Sequence, residues 1–313
     1  MLGNAMERLS RLAQHLDPPV PAAPASARPH DMAGEADAAG LRPSTAVAPS
    51  RLIFGCAPIR SFNPRDAASG PSTDVVNAAV HAALEGGIVH FDTAPLYADA
   101  EDRLGQALAA SPLGSKAVVI TKCGKLVRRI CPNRQIAPIG PQPWAPFAVP
   151  LEERCLLPDY SAGGARKSLE ESCERMGLAA GGVHTLRMHD PDSIEGAFPL
   201  ATSADGLVAG LRQLRSEGTI QHVSFGMNAN VEHRVVTPGT GGLEETEWTP
   251  ETILKLLAAV PAGTFDSCLL AYSWNLWSQD GWSVIQACGR HGIAVHVAGT
   301  ALLPARSART QSE

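Results

Sequence analysis

Between Arg51 and Gly299 the chain keeps repeating one pattern: a short apolar run, then a segment with apolar residues at helical spacing. The runs begin near residues 52, 88, 117, 183, 220, 265 and 293. Between them, Val75, Val76, Ala79, Val80, Ala83 and Leu84 recur at helical period, as do Ala165, Leu169, Cys173 and Met176. Leu207, Val208, Leu211 and Leu214 repeat the pattern, and Ile253, Leu254, Leu256 and Leu257 and then Val284, Ile285 and Cys288 mark two more helices. Gly86-Gly87, Gly177 and Gly218 stand where three of these helices should stop, and Asp99 is placed to cap a helix through Glu101, Leu104 and Ala107. Strand-then-helix order repeated in this way requires parallel strands, since a parallel pair needs a crossover. An α/β domain with seven parallel strands is expected. A doubly wound sheet and a barrel both fit that count. No G-x-G-x-x-G follows the first strand, where Gly55-Cys56-Ala57-Pro58 stands instead, and this weighs against a Rossmann dinucleotide site.

The chain has 313 residues, of which 44% are apolar, enough for one large domain with a buried core. An α/β barrel commonly needs about 250 residues. A net charge of −5 gives no reason to expect nucleic acid or an anionic membrane as partner. No apolar run approaches the ~20 residues of a membrane helix. The seven cysteines form no C-x-x-C pair, several lie in apolar runs, and reduced, mostly buried thiols are the expectation.

Residues 1–50 read as a disordered Ala/Pro-rich leader ahead of a domain at 51–313. Met6 to Leu16 can form a short helix with Leu9, Leu12 and Leu16 on one side, but it lacks the apolar core of a secretory signal. A cytoplasmic location is expected. Organelle import is the alternative, weakened by Glu7 and Asp17. Two interruptions fall inside the domain. Lys125 to Pro158 carries seven prolines together with Trp144 and Phe147, and reads as an irregular lid or rim. Residues 231–249, rich in Gly, Thr and Glu, read as an inserted loop.

In a barrel, chemistry sits at the C-terminal ends of the strands. Here those ends deliver Asp92, Lys122, His189 and Asn228 in turn, and the sixth strand runs into Tyr272, Trp274 and Asn275. Each alone has a plainer structural reading: a turn cap for Asp92, a solvated Lys122, a turn opener for His189, a packed aromatic for Tyr97. Together they have a chemical reason. Carbonyl reduction needs a proton donor beside the oxygen. A free phenol titrates near 10, and a neighbouring ammonium lowers that value. Lys122 can supply the ammonium, Asp92 can hold Lys122, and His189 can orient the carbonyl. His189, Asp190 and Asp192 could also ligate a cation, but no second His or Cys cluster accompanies them, so no metal is expected.

At these residues the chain resembles an aldo-keto reductase. Gly87-Ile-Val-His-Phe-Asp-Thr-Ala-Pro-Leu-Tyr97 is similar to that family's Phe-Asp-Thr-Ala-x-x-Tyr signature, and Glu101, Leu104 and Gly105 resemble its continuation into the second helix. Thr121-Lys122 and Arg187-Met-His-Asp-Pro-Asp192 resemble its lysine and histidine segments. Asp159-Tyr160-Ser161 followed by Arg166 to Ser172 is similar to the branch holding D-threo-aldose (L-fucose) and L-galactose 1-dehydrogenases, with pyridoxal dehydrogenases nearby. The resemblance spans about residues 51–299. It implies a (β/α)8 TIM barrel of aldo-keto reductase type, with Asp92, Tyr97, Lys122 and His189 as catalytic residues. It also implies NADP or NAD as cofactor with Asn228 on its carboxamide, and a small sugar or aldehyde as substrate with Tyr272 or Trp274 lining its pocket. The family barrel has eight strands and only seven are legible here, so a barrel cut off after the seventh strand is expected. That leaves two functional readings: an NAD(P)-dependent aldose 1-dehydrogenase-like enzyme, or a non-catalytic aldo-keto reductase-like protein without a complete cofactor site. Oligomeric state is not legible.

Overall fold

The computed structural model describes residues 52–63, 68–129, 154–191, 197–227, 232–236, 243–247, 250–271, 274–275, 279 and 281–299. The expected leader, most of the Pro-rich stretch, Asn228 and Tyr272 lie outside these residues. Seven strands alternate with six helices: β1 (Ile53–Gly55), α1 (Thr73–Glu85), β2 (His90–Asp92), α2 (Ala100–Ala110), β3 (Val118–Cys123), α3 (Ala162–Met176), β4 (Val183–His189), α4 (Leu207–Ser216), β5 (His222–Met227), α5 (Pro250–Ala259), β6 (Ser267–Ala271), α6 (Trp282–Arg290) and β7 (Ala294–Ala298). All six pairings are parallel and the strands lie side by side in chain order. A doubly wound sheet reverses its order at a switch point. This sheet does not, which resolves the alternative left open by the sequence in favour of a barrel-type winding.

The sheet is curled. In a flat sheet β4 and β7 would stand three strand spacings apart, about 14 Å. Yet Arg187 on β4 reaches both Asp92 on β2 and His296 on β7 through its own guanidinium. Among the described residues β1 and β7 each have one hydrogen-bonded neighbour.

Alternation along each strand separates two layers. Phe91, Val119, Cys123, Leu186, Met188, Val223, Phe225, Cys268 and Leu270 point outward into the main apolar core beneath the helices. The inner face takes the alternate positions, and it is unusually polar. His90, Asp92, Lys122, Thr185, Arg187, Ser224, Ser267 and His296 stand there, where barrels of this type commonly stack branched aliphatic residues.

Helix ends follow local chemistry. Ser72 caps α1 by accepting from Val75 N, and Gly87 leaves it at φ 80°. Ser161 caps α3, which ends on left-handed Gly177 at φ 64°. Asp99 departs from expectation: its side chain makes no cap hydrogen bond, and its Oδ1 accepts instead from Ser61 N at 2.8 Å. The two interruptions also differ from the loops expected. Lys125–Arg129 pairs antiparallel with Arg154–Pro158, and Glu232–Val236 with Leu243–Glu247. In each case the ends of the excursion satisfy their backbone groups on one another, so the chain leaves and re-enters the barrel as a ladder. Cys56, Cys123, Cys173, Cys268 and Cys288 are free, all but Cys173 buried, and burial pushes the Cys56 and Cys123 thiols up. No helix among the described residues is long and apolar enough to cross a membrane.

Two buried polar contacts fix the layers against each other. Thr121, facing outward on β3, donates to Glu101 Oε1 on α2 at 2.6 Å, and Arg175 on α3 donates to Glu101 Oε2 at 2.6 Å. Where α2 crosses α3, Gly105 packs directly on the backbone of Met176, and a side-chain carbon there would meet the Met176 α-carbon at 2.6 Å.

Candidate active site

Three strand ends and one loop bring Asp92, Lys122, His189 and Tyr97 together. Asp92 closes β2 and Lys122 lies near the end of β3, one strand away. Lys122 Nζ donates to Asp92 Oδ1 at 2.6 Å and to the Thr93 carbonyl at 2.8 Å. An ammonium has three protons, and the third direction is left toward Tyr97, whose ring centroid is 4.5 Å from Nζ. Tyr97 sits five residues past the β2 end, in a turn closed by Tyr97 N donating to the Ala94 carbonyl at 3.0 Å. The His189 ring stands edge-on to Tyr97, centroids 6.4 Å apart.

The electrostatics follow from burial and pairing. Lys122 is 1% exposed. Burial pulls its ammonium down, but the Asp92 carboxylate and Tyr97 together outweigh that and hold it above its ordinary value. Burial pushes the Asp92 carboxyl up, and Lys122 with Arg187 overcome this, leaving it below the usual range. His189 is driven down to about 3, chiefly by burial, so its imidazole is neutral at physiological pH. Tyr97 corrects the expectation of a lowered phenol. Burial, joined by the Asp92 and Asp190 carboxylates, raises it more than the Lys122 charge and hydrogen bond lower it, and the net direction is upward. Lys122 restrains the rise without reversing it, so the free site holds a protonated phenol.

His189 is fixed through its backbone by a residue that sequence reasoning did not single out as functional. Tyr160 is buried, and its hydroxyl donates to the carbonyls of His189 at 2.7 Å and Asp190 at 3.0 Å. Asp190 holds a left-handed backbone at φ 39°, and its carboxylate lies 3.4 Å from His189 Nε2 and 3.5 Å from Lys125 Nζ. The signal for Tyr160 in the sequence was its place beside the helix cap Ser161, which sets the start of α3 against the end of β4.

Trp274 is half-buried and stacks on Trp282 at the start of α6, centroids 5.4 Å apart. Its described contacts are with that ring and the apolar core, rather than with the quartet.

A family model for the aldo/keto reductase family matches residues 52–237. Among curated proteins, the chain is 32% identical over 218 residues to a D-threo-aldose 1-dehydrogenase from a Pseudomonas species, covering 64% of this chain and 63% of that protein. It is 28% identical over 225 residues to a pyridoxal 4-dehydrogenase from Microbacterium luteolum, covering 62% of each. The chain therefore spans less than two thirds of the length of these relatives. Among solved structures, an aldo-keto reductase from Pseudomonas aeruginosa aligns with a TM-score of 0.51 at 20% identity, covering 81% of this chain and 74% of that one. A glycerol dehydrogenase from Gluconobacter oxydans aligns at 0.50 and 18%, covering 79% and 59%. At such identities the structural likeness speaks for the fold alone.

Proposed function

This chain belongs to the aldo/keto reductase family, and from that premise we propose that it is an oxidoreductase exchanging hydride between a nicotinamide cofactor and the carbonyl of an aldose or another aldehyde, with Tyr97 as acid and base. The observation that carries the reading is the buried Lys122–Asp92 pair at 2.6 Å, with its ammonium beside the Tyr97 ring. The donor set suits the oxygen end of such a reaction: a protonated phenol, an ammonium and a neutral imidazole converge on one rim. The sequence resemblance to aldose and pyridoxal dehydrogenases supports a sugar or aldehyde as substrate.

Bound nicotinamide, NADP or NAD, would supply or accept the hydride, and Asn228, just past β5, is assigned to its carboxamide. The chain's own residues handle the proton. In reduction the carbonyl oxygen lies between Tyr97 and His189. Tyr97 gives up its proton as negative charge grows on that oxygen. The phenolate left behind is stabilised by Lys122, which Asp92 keeps charged and in place. His189, neutral, offers a hydrogen bond that orients the carbonyl without adding a second proton source. In oxidation Tyr97 must first lose its proton, and because its phenol is held up, this direction speeds up with rising pH through the alkaline range. One aromatic after β6, Tyr272 or Trp274, is assigned to the substrate rim.

The test is turnover of L-fucose, L-galactose and a panel of aldehydes with NAD or NADP, followed by the absorbance of reduced nicotinamide. Tyr97→Phe should lower the rate at least ~100-fold, the lower end for loss of a general acid–base, while fluorescence titration shows NADPH binding retained. No turnover with any member of the panel, together with no cofactor binding, refutes the reading and leaves the non-catalytic alternative.

A further inference from the structure

The inner face of the sheet holds a second cation that the proton chemistry above does not use. Arg187 lies on β4 two residues before His189, so strand alternation points both inward. It is among the largest fully buried side chains described. A buried guanidinium is tolerated only when its donors are met, and each of its nitrogens has a partner. Nη1 donates to Asp92 Oδ2, the carboxylate oxygen that Lys122 leaves free. Nε donates to Ser224 Oγ on β5 at 3.0 Å. Nη2 lies 3.0 Å from His296 Nδ1 on β7. Ser224 in turn donates to the Ser267 carbonyl on β6 at 2.9 Å and accepts from Ser267 Oγ at 2.9 Å.

We propose that Arg187 is a positioning residue for the proton transfer: by holding Oδ2 of Asp92 it turns Oδ1 onto Lys122 and shares the carboxylate's charge, so that the ammonium keeps an unspent donor and charge for Tyr97. The proposal rests on the reading of Tyr97 as acid and base. A carboxylate gripped on one oxygen by a lysine can still rotate, because an ammonium is a point charge. A guanidinium anchored at Nε by a serine holds the second oxygen in place, and the two grips together fix the carboxylate plane. The charges also add up in favour of a phenolate. One carboxylate faces two cations, leaving one positive charge in excess on the inner face. His296 strengthens the arrangement: its imidazole is held down to about 4, first by burial and then by Arg187, so it stays neutral and can receive the guanidinium N–H on its lone pair.

The groups that face these two centres are few. Tyr97 is faced by Lys122 from β3, Asp92 from β2, and His189 and Asp190 from the end of β4. Arg187 is faced by Asp92, Lys122 and His296, with His90 beyond His296, and the Cys268 thiol lies on the opposite, outer face of β6.

The chain has three tyrosines, Tyr97, Tyr160 and Tyr272, so carbon-13 labelling at tyrosine Cζ gives three signals, and Tyr97→Phe assigns the relevant one. In Arg187→Met the Tyr97 signal should differ from the parent's at neutral pH, and its drift toward the phenolate position should begin at least about one pH unit later. In turnover, kcat should fall about tenfold or more with KM within about threefold. Arg187→Lys should recover part of both effects, since it restores charge without the fork. Ser224→Ala keeps the charge and loosens the fork, so it should shift the signal in the same direction by less, and it carries the test if Arg187→Met does not fold. Coincident Tyr97 signals and titration onsets in parent, Arg187→Lys and Ser224→Ala overturn the proposal, as does turnover in which only KM changes. If the signal moves while the parent turns over none of the substrate panel, the proposed reaction fails and the positioning of Tyr97 stands.

Discussion

Removing one oxygen atom from Tyr160 should loosen the end of β4 and slow the reaction. The phenol has a single proton, shared between the carbonyls of His189 and Asp190 at 2.7 and 3.0 Å. Tyr160→Phe keeps the ring, which packs against Gly124, a glycine whose φ of 103° and lack of a side chain leave that space open. Only the hydrogen bonds go. A buried neutral hydrogen bond nets about 1 kcal/mol, and leaving its acceptors unmet raises the loss toward about 1–3 kcal/mol. The same contact helps hold Asp190 at φ 39°, a conformation that costs a non-glycine residue roughly 1 kcal/mol or more. A loss of about 2 kcal/mol is therefore expected, which at about 2–4 °C per kcal/mol for a unit of this size lowers Tm by roughly 4–8 °C. Thermal unfolding followed by circular dichroism reads this directly. Because the His189 imidazole hangs from the carbonyl segment being released, kcat should also drop about tenfold, in line with the ~100-fold cost of a full 1 Å misplacement. A Tm within about 1 °C of the parent would show that the two carbonyls are satisfied without the phenol, and the staple would be refuted.

Two further outcomes follow from the packing and the buried charges. Gly105→Ala forces a carbon onto the Met176 backbone, where no flexible side chain can yield. It should destabilise the chain by about 1–3 kcal/mol despite alanine's better helix propensity, and a urea midpoint equal to or above the parent's would refute the close crossing. Acid should also destabilise the fold. His184 and His296 are held down to about 4 and His189 to about 3, so the unfolded chain binds more protons as pH falls below the ordinary histidine value, and stability is lost from there downward. Each imidazole contributes at most about 1.4 kcal/mol per pH unit. Asp92 acts in the same direction, its contribution vanishing only at still lower pH, as its depressed carboxyl finally protonates. Urea midpoints that do not fall between about pH 7 and about pH 5 would contradict the neutral, buried state of these rings.

Much of this architecture was legible in the chain because each strand begins as a short, mainly apolar run set between segments of helical period. The seven runs fall on the seven strands, and Gly86-Gly87 and Gly177 end α1 and α3 where expected. Asp92 and Lys122 could be paired from strand ends alone. What the pattern hid was the partner of a charge within a run. Arg187 interrupts the apolar stretch of β4, but its partners lie 95 residues before it and 109 after, and only the curl of the sheet brings them together. The clue available was its position two residues before His189, on the same face. The ladders at Lys125–Arg129 and Glu232–Val236 were hidden for another reason: their composition carries no apolar alternation, and their pairing is a matter of backbone groups. Tyr97's upward shift escaped because a neighbouring cation can be read from sequence, whereas the depth of a ring cannot.

The inner lysine is also governed from the opposite side of the sheet. Thr121 and Lys122 share one peptide unit, so neither can slide without the other, and a slip of a single position would exchange their faces. With Thr121 tethered to Glu101 and Glu101 to Arg175, the depth at which the ammonium sits is dictated by two helices on the outer layer. Substitutions at that distant crossing would thus read as changes in proton chemistry, and residues 101, 121 and 175 should tolerate variation only in concert.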